Sequence, residues 1–290
     1  MTRSSDRLSA HEWSSIFNSL ATTVRQEVGP LLGTPAGGME TGSIGAGGDR
    51  TLEVDRRAEE LVLSGLRDVA ERGLRFSVLS EEVGIVDFGA EYPRVVVDPI
   101  DGSPNARRAL RMVGVMFSLL DGPLIRDVAA GATADLTTGE LWTALRGMGA
   151  SYGDEPLRPV RSSGGTNIEV LGLHALPGDL PAAWPLLRSV ETFRQFYCMS
   201  LSLAYTAAGG IDVFCSSRRA RVFDLTAGLL TIKEVGGVVS DLHGASIDEL
   251  PVDLEARTTL LCSAHADLHS LAVARATEDS APLTSLPTQS

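Results

Sequence analysis

Seven residues, Val97-Asp98-Pro99-Ile100-Asp101-Gly102-Ser103, constrain this chain more than any others. The valines that lead into them (Val95, Val96, Val97) read as a buried strand. Two carboxylates therefore stand where that strand ends and the backbone turns. Pro99 stiffens the turn by fixing its own φ. Gly102-Ser103 then opens a helix start, whose backbone N–H groups can face an anion. Hard cations such as Mg²⁺ take carboxylate and carbonyl oxygens and keep positions open for phosphate. A metal site and a phosphate site thus coincide in one turn.

Around this turn the periodicity of the chain changes. Ser9-Ala10-His11-Glu12 is a capping-box pattern, and Trp13, Ile16, Phe17, Leu20, Val24 and Val28 continue it as a first helix. The glycine-rich stretch 33–49 reads as a flexible loop and lacks the GxxxxGK[ST] pattern of a P-loop. Asp55 to Glu71 reads as a second helix, with Ala58, Leu61, Val62 and Leu66 on one face. Strands are expected at Phe76–Leu79, Arg94–Val97, Val113–Leu120, Val128–Ala134 and Leu141–Ala144, which suggests a largely antiparallel sheet backed by helices. The second half alternates: strand Glu169–Leu173, helices Leu180–Val190 and Ser200–Ala208, strand Asp212–Cys215, helix Asp224–Val235, strand Val238–Ser240. We therefore expect an α+β lobe over residues 1–150, a smaller α/β lobe over 151–278, and a disordered Ser/Thr/Pro-rich tail over 279–290.

The formal charge of −12 argues against a nucleic-acid polymer as partner. It does not exclude a phosphorylated small molecule, because metal ions can supply local positive charge. Cys198, Cys215 and Cys262 are odd in number and lack CxxC spacing, which reads as three buried, reduced thiols. With no apolar run near the roughly 18 residues of a membrane span, and no signal peptide, the expected location is the cytoplasm. Further acids close other elements. Glu81-Glu82 follow the strand Phe76–Leu79, Asp224 opens a helix, and Asp55 opens another, four residues after Thr51. Singly, each fits a helix cap or a solvated turn.

Together they resemble the inositol monophosphatase superfamily of metal-dependent, lithium-sensitive phosphatases. Asp98-Pro99-Ile100-Asp101-Gly102-Ser103-Pro104-Asn105 is similar to its first signature. Phe223-Asp224-Leu225-Thr226-Ala227-Gly228 through Glu234-Val235-Gly236-Gly237 is similar to its second. Glu81-Glu82, the set Thr51, Asp55, Ala58 and Glu59, and the stretch Gly139–Ala150 follow the family pattern in order. The resemblance implies a five-layer α-β-α-β-α sandwich and a homodimer. It implies phosphomonoester hydrolysis by water activated at two or three Mg²⁺ ions, with Li⁺ as an inhibitor. Glu81, Asp98, Asp101 and Asp224 would be ligand side chains, Asp98 bridging, with the Ile100 carbonyl as a further ligand. Glu81 also counts among the catalytic residues, and Thr51 and Glu82 would support the ligands from behind. Ser103 would orient the attacking water, Asp55 would accept from its hydroxyl, and the Gly102 and Ser103 amides would hold the phosphate.

The chain departs from the family in the region expected to choose the substrate. Tyr197 stands where glycine is usual, Ser217 replaces an acid, and Arg218, Arg219 and Arg221 follow. Asn105 precedes Ala-Arg-Arg instead of an aromatic. The arginines resemble the archaeal branch, whose members hydrolyse inositol phosphate and fructose 1,6-bisphosphate. Tyr197, Arg218, Arg219 and Arg221 are the expected substrate contacts, the arginines binding a second anionic group. Inositol phosphate, fructose 1,6-bisphosphate or a specialised sugar phosphate are the expected substrates. A nucleotide 3′-phosphatase and a non-catalytic binding protein on the same fold stay open as alternatives.

Overall fold

The Ser9 hydroxyl accepts from the Glu12 amide while the Glu12 carboxylate accepts from the Ser9 amide, so the first helix begins where its capping box requires. The structure is a computed structural model and describes residues 8–161 and 167–278; the tail 279–290 lies outside the described residues. In chain order the elements are α1 (Ala10–Val28), β1 (Glu40–Ile44), β2 (Arg50–Leu52), α2 (Glu53–Glu71), β3 (Ser77–Ser80), β4 (Gly84–Asp87), β5 (Arg94–Asp101), α3 (Ser103–Ala106), β6 (Gly114–Leu120), β7 (Val128–Asp135), β8 (Leu141–Leu145), β9 (Gly149–Tyr152) and β10 (Glu155–Pro156). There follow β11 (Val170–His174), α4 (Leu180–Leu187), β12 (Thr192–Arg194), α5 (Met199–Ala208), β13 (Val213–Arg221), α6 (Thr226–Glu234), β14 (Val238–Ser240), β15 (Arg257–Ser263) and α7 (Ala266–Ala276).

Two large sheets organise these elements. The first has the order β10-β9-β8-β7-β6-β5-β3-β4 and is antiparallel except for the β3–β5 pair. The second has the order β12-β11-β13-β15-β14, parallel on its β12 side and antiparallel on its β14 side. Strand alternation sorts their side chains between layers. On β5, Val95 and Val97 pack with Trp13 and Phe17 of α1 and Val62 and Leu66 of α2, whereas Val96 faces Leu203 and Leu229 of α5 and α6. On the second sheet Phe214 and Cys262 join that middle core, while Val213, Cys215 and Leu261 turn outward onto α4 and α7. The result is the five-layer α-β-α-β-α sandwich. All three cysteines are free and buried.

Three local differences from the sequence expectation matter for the site. The glycine-rich stretch is not a plain loop: Glu40–Ile44 pairs antiparallel with Arg50–Leu52, and the Gly45–Asp49 turn lies over Glu81 and Glu82. The strand expected to end at Cys215 runs on to Arg221, because β15 supplies a ladder with an irregularity between Ser216 and Ala220. Asp224 sits in a 3₁₀ turn, Phe223–Leu225, ahead of the α6 helix.

Candidate metal centre and active site

β5 carries Asp98 toward its C-terminal end, where the parallel neighbour β3 delivers Glu81 alongside and the Phe223–Leu225 turn delivers Asp224. Carboxylate oxygens of Glu81, Asp98 and Asp224 all lie within 4.8 Å of one another. Such crowding of buried acids is unfavourable without a compensating cation. Burial, and after it the charge of Asp224, pushes Glu81 up to about 8. Burial, and after it Glu81 and Asp101, holds Asp98 well above the ordinary carboxylate range. Asp224 rises to about 6 through burial, although the adjacent Arg221 pulls it down. Its Oδ1 is buried and has no hydrogen-bond partner among the described residues. An all-oxygen donor set with one orphaned oxygen fits a hard divalent cation.

Asp101 stands apart from this cluster. Its Oδ2 accepts from the Ser200 amide at 2.5 Å and from the Cys198 thiol at 3.3 Å, tying it to the start of α5. Ser103 Oγ lies 2.8 Å from Asp55 Oδ1 and 3.0 Å from the Ile100 carbonyl, and its one proton serves the closer, charged acceptor. Asp55 Oδ2 accepts from the Leu52 amide at 2.8 Å, so Asp55 caps α2 with one oxygen and holds Ser103 with the other. Burial raises Asp55 to about 6, against those two hydrogen bonds. Thr51 donates to Glu82 at 2.5 Å, behind Glu81. Gly102 has φ +94°, and a Cβ there would meet the Met112 carbonyl at 2.7 Å, so only glycine turns the chain cleanly here.

The arginines separate. Arg218 faces the cavity with no ion-pair partner among the described residues. Arg219 also lines the cavity and donates to the Arg257 carbonyl. Arg221, expected as a substrate contact, instead points its guanidinium into the acids: Glu81 at 2.5 Å, Asp224 at 2.8 Å and Asp49 at 3.1 Å. The three-residue offset Arg221–Asp224 across the 3₁₀ turn accounts for this. Ser217 is buried and is not among the residues lining the cavity. Tyr197 lines it, with φ +55° and a ring set edge-on to His174 at 6.2 Å.

Further residues shape the site, of which only Asn105 and Glu59 belong to the motifs read in the sequence. His174, at the end of β11, bonds Ser216 Oγ through Nδ1 at 2.9 Å. Asn105 Nδ2 donates to the Met112 and Phe196 carbonyls, pinning the Tyr197 loop to the acidic turn. Arg108 lines the cavity from α3's far end. Glu59 is buried against Ser80, with Oε1 unpartnered and its carboxyl pushed up by burial to about 7.

The cavity holding these residues measures about 560 Å³, a volume suited to a small-molecule ligand. The chain matches the model of the inositol monophosphatase family over residues 10–280. The chain belongs to the inositol monophosphatase family. It is 29% identical over 270 residues to the fructose-1,6-bisphosphatase/inositol-1-monophosphatase of Methanothermobacter thermautotrophicus, covering 89% of this chain and 94% of that one. It is 30% identical over 254 residues to the protein of the same name from Thermococcus kodakarensis, covering 87% and 93%. Its fold superposes on the extragenic suppressor protein suhB of Bartonella henselae with a TM-score of 0.77 at 24% identity, covering 92% and 99%. Membership makes this chain a phosphoric monoester hydrolase of a metal-dependent family. No helix among the described residues is long and apolar enough to cross a membrane.

The raised acids predict how this inositol monophosphatase family member responds to pH. Each is protonated in the folded, metal-free chain at pH values where the unfolded chain has already ionised. Their stabilising contribution is therefore lost as pH rises through about 6 for Asp55 and Asp224 and about 8 for Glu81. Cation binding needs the ionised forms and strengthens over the same window. The Mg²⁺-induced rise in Tm should grow from pH 6 to pH 8, as differential scanning fluorimetry would record; a flat response would contradict this electrostatic picture.

Proposed function

We propose that this chain is a Mg²⁺-dependent phosphatase acting on a small phosphorylated sugar or cyclitol that carries a second anionic group, of the inositol phosphate or fructose 1,6-bisphosphate type. One observation carries the reading: the carboxylates of Glu81, Asp98 and Asp224 converge beside the Ser103–Asp55 pair at the floor of a single cavity. Those three acids, with Asp101 and the Ile100 carbonyl, would hold the cations. A divalent cation bound there supplies charge neutralisation of the phosphate and a lowered pKa for a water nucleophile.

The chain's own groups then do the rest. Ser103 Oγ gives its proton to Asp55 Oδ1, leaving a lone pair to accept from the attacking water. Asp55 is fixed from its other side by the Leu52 amide, so this acceptor cannot swing away. The proton of the water passes through Ser103 to Asp55, whose burial makes its carboxylate more basic than an exposed one. The amides of Gly102 and Ser103 lie where the chain turns past the acids, and would bind the phosphoryl oxygens.

Arg218, Arg219 and Arg108 support the second anion, because all three line the cavity and none has an ion pair among the described residues. A charge-assisted hydrogen bond contributes roughly 1.5–3 kcal/mol. Arg218→Ala should therefore raise KM for fructose 1,6-bisphosphate about ten- to a hundredfold while leaving inositol 1-phosphate close to the parent value. An equal effect on both would refute the second-anion reading. A phosphorylated nucleotide is the second reading, favoured by the aromatic wall of Tyr197 and His174. Ser216 spends its proton on the Arg218 carbonyl, so His174 Nδ1 donates to it and Nε2 keeps a lone pair. Aromatic faces of this kind stack bases. Selectivity for a 3′,5′-bisphosphorylated nucleotide in a substrate panel would favour this reading over the sugar.

A further inference from the structure

We propose that Arg221 is a positioning residue for the metal ligands: its guanidinium takes one oxygen from each of Glu81 and Asp224 and so aims the other oxygen of each at the cation. Nε meets Asp224 Oδ2 at 2.8 Å and Nη2 meets Glu81 Oε1 at 2.5 Å, a fork across two carboxylates that come from different sheets. The oxygen left over on Asp224, Oδ1, is the buried one with no partner. Were Arg221 a substitute for the cation, it would satisfy that oxygen. It engages the opposite one.

The surroundings are shaped for this arrangement. Arg221 is only 17% exposed, and its guanidinium lies 5.2 Å from the centre of the Phe223 ring, which is itself buried. Nη1 reaches Asp49 at 3.1 Å, so the same group ties the Gly45–Asp49 turn down over Glu81. Gly47 leaves the space it needs: a Cβ at that position would lie 2.6 Å from Nη1 and 2.9 Å from Glu81 Cγ. Planar, three-armed bonding of this kind is available to arginine and not to lysine, which keeps the charge but offers one nitrogen.

The inference rests on the metal-hydrolase reading, and titration of the metal alone separates the two. Isothermal titration of Mg²⁺ into the wild-type chain, R221K and G47A, together with Tm in chelator, is the experiment. Partners that orient a ligand are worth about 10- to 100-fold in metal affinity. R221K and G47A should weaken Mg²⁺ binding by that factor. In R221K, kcat should fall while KM for fructose 1,6-bisphosphate stays within about twofold of the parent. Parental Mg²⁺ affinity in R221K would reduce Arg221 to a bare charge and overturn the proposal. Tighter binding in R221M would make it a competitor of the cation, and overturn it too. A rise in KM at constant kcat would return it to substrate binding. Should R221M not fold, R221K and G47A carry the test. Wild-type protein that binds no Mg²⁺ would instead refute the metal-hydrolase reading.

Discussion

Asp98→Asn is expected to abolish most turnover and, in chelator, to raise Tm. Asp98 is buried, with Glu81, Asp101 and Asp224 the charges that most disfavour its ionisation and Arg221 opposing them. Its Oδ1 accepts from the Ile100 amide, a bond an asparagine oxygen can keep. The substitution therefore puts a group that is neutral at every pH where burial and neighbouring acids force the carboxyl to take up a proton, without breaking the turn, which favours the metal-free fold. The same change takes a carboxylate from the centre of the proposed cation site. Losing a group that only orients a ligand costs about 10- to 100-fold, and loss of a ligand itself should cost about 1,000-fold or more in kcat. Phosphate release and thermal melts on one preparation check both halves. Near-normal activity, or a large fall in Tm, would contradict the placement of Asp98.

The second large effect is expected at Ser103 and Asp55, and its signature is non-additivity. Ser103→Ala removes the hydroxyl that joins the acidic turn to α2. Asp55→Asn can still accept from the Leu52 amide, so the helix cap survives, but the amide nitrogen facing Ser103 then donates and reverses the bond. Each substitution should lower kcat by about 100- to 10,000-fold, the range for a positioned acid–base group. The double variant should be little worse than the more damaged single one, because residues that act as a unit are lost together. Multiplying penalties would mean that the two groups work independently.

Much of this was legible in the sequence, for identifiable reasons. The turn at Asp98–Ser103 is readable because apolar strand, acids, proline and glycine are contiguous, and because Thr51, Asp55, Glu81, Glu82 and Asp224 recur at spaced element ends. The capping box at Ser9 reported its helix correctly, since both of its bonds are local. Non-local pairing was not legible. The strand Arg50–Leu52 and the extension of β13 through Ser216–Arg221 exist because a partner strand completes their ladders. β15 and α7 likewise gave no signal: α7 has no side-chain N-cap bond and β15 mixes threonines with a short apolar run. The same limit applies to the arginines. Arg218, Arg219 and Arg221 look equivalent in a row and all line the cavity, and only the strand and the 3₁₀ turn tie Arg219 to a backbone carbonyl and Arg221 to the acids while Arg218 makes no ion pair among the described residues. His174 could not be found from sequence at all, because its neighbours Ser216 and Tyr197 arrive from distant segments.

Loaded with a divalent cation, the acid cluster should hydrolyse a small phosphomonoester. Phosphate release from fructose 1,6-bisphosphate and inositol 1-phosphate, measured with Mg²⁺, after chelation and after Mg²⁺ is restored, tests it most directly. Turnover should disappear with the chelator and return with the metal. Turnover that survives chelation, or none on either substrate with Mg²⁺ present, would contradict it.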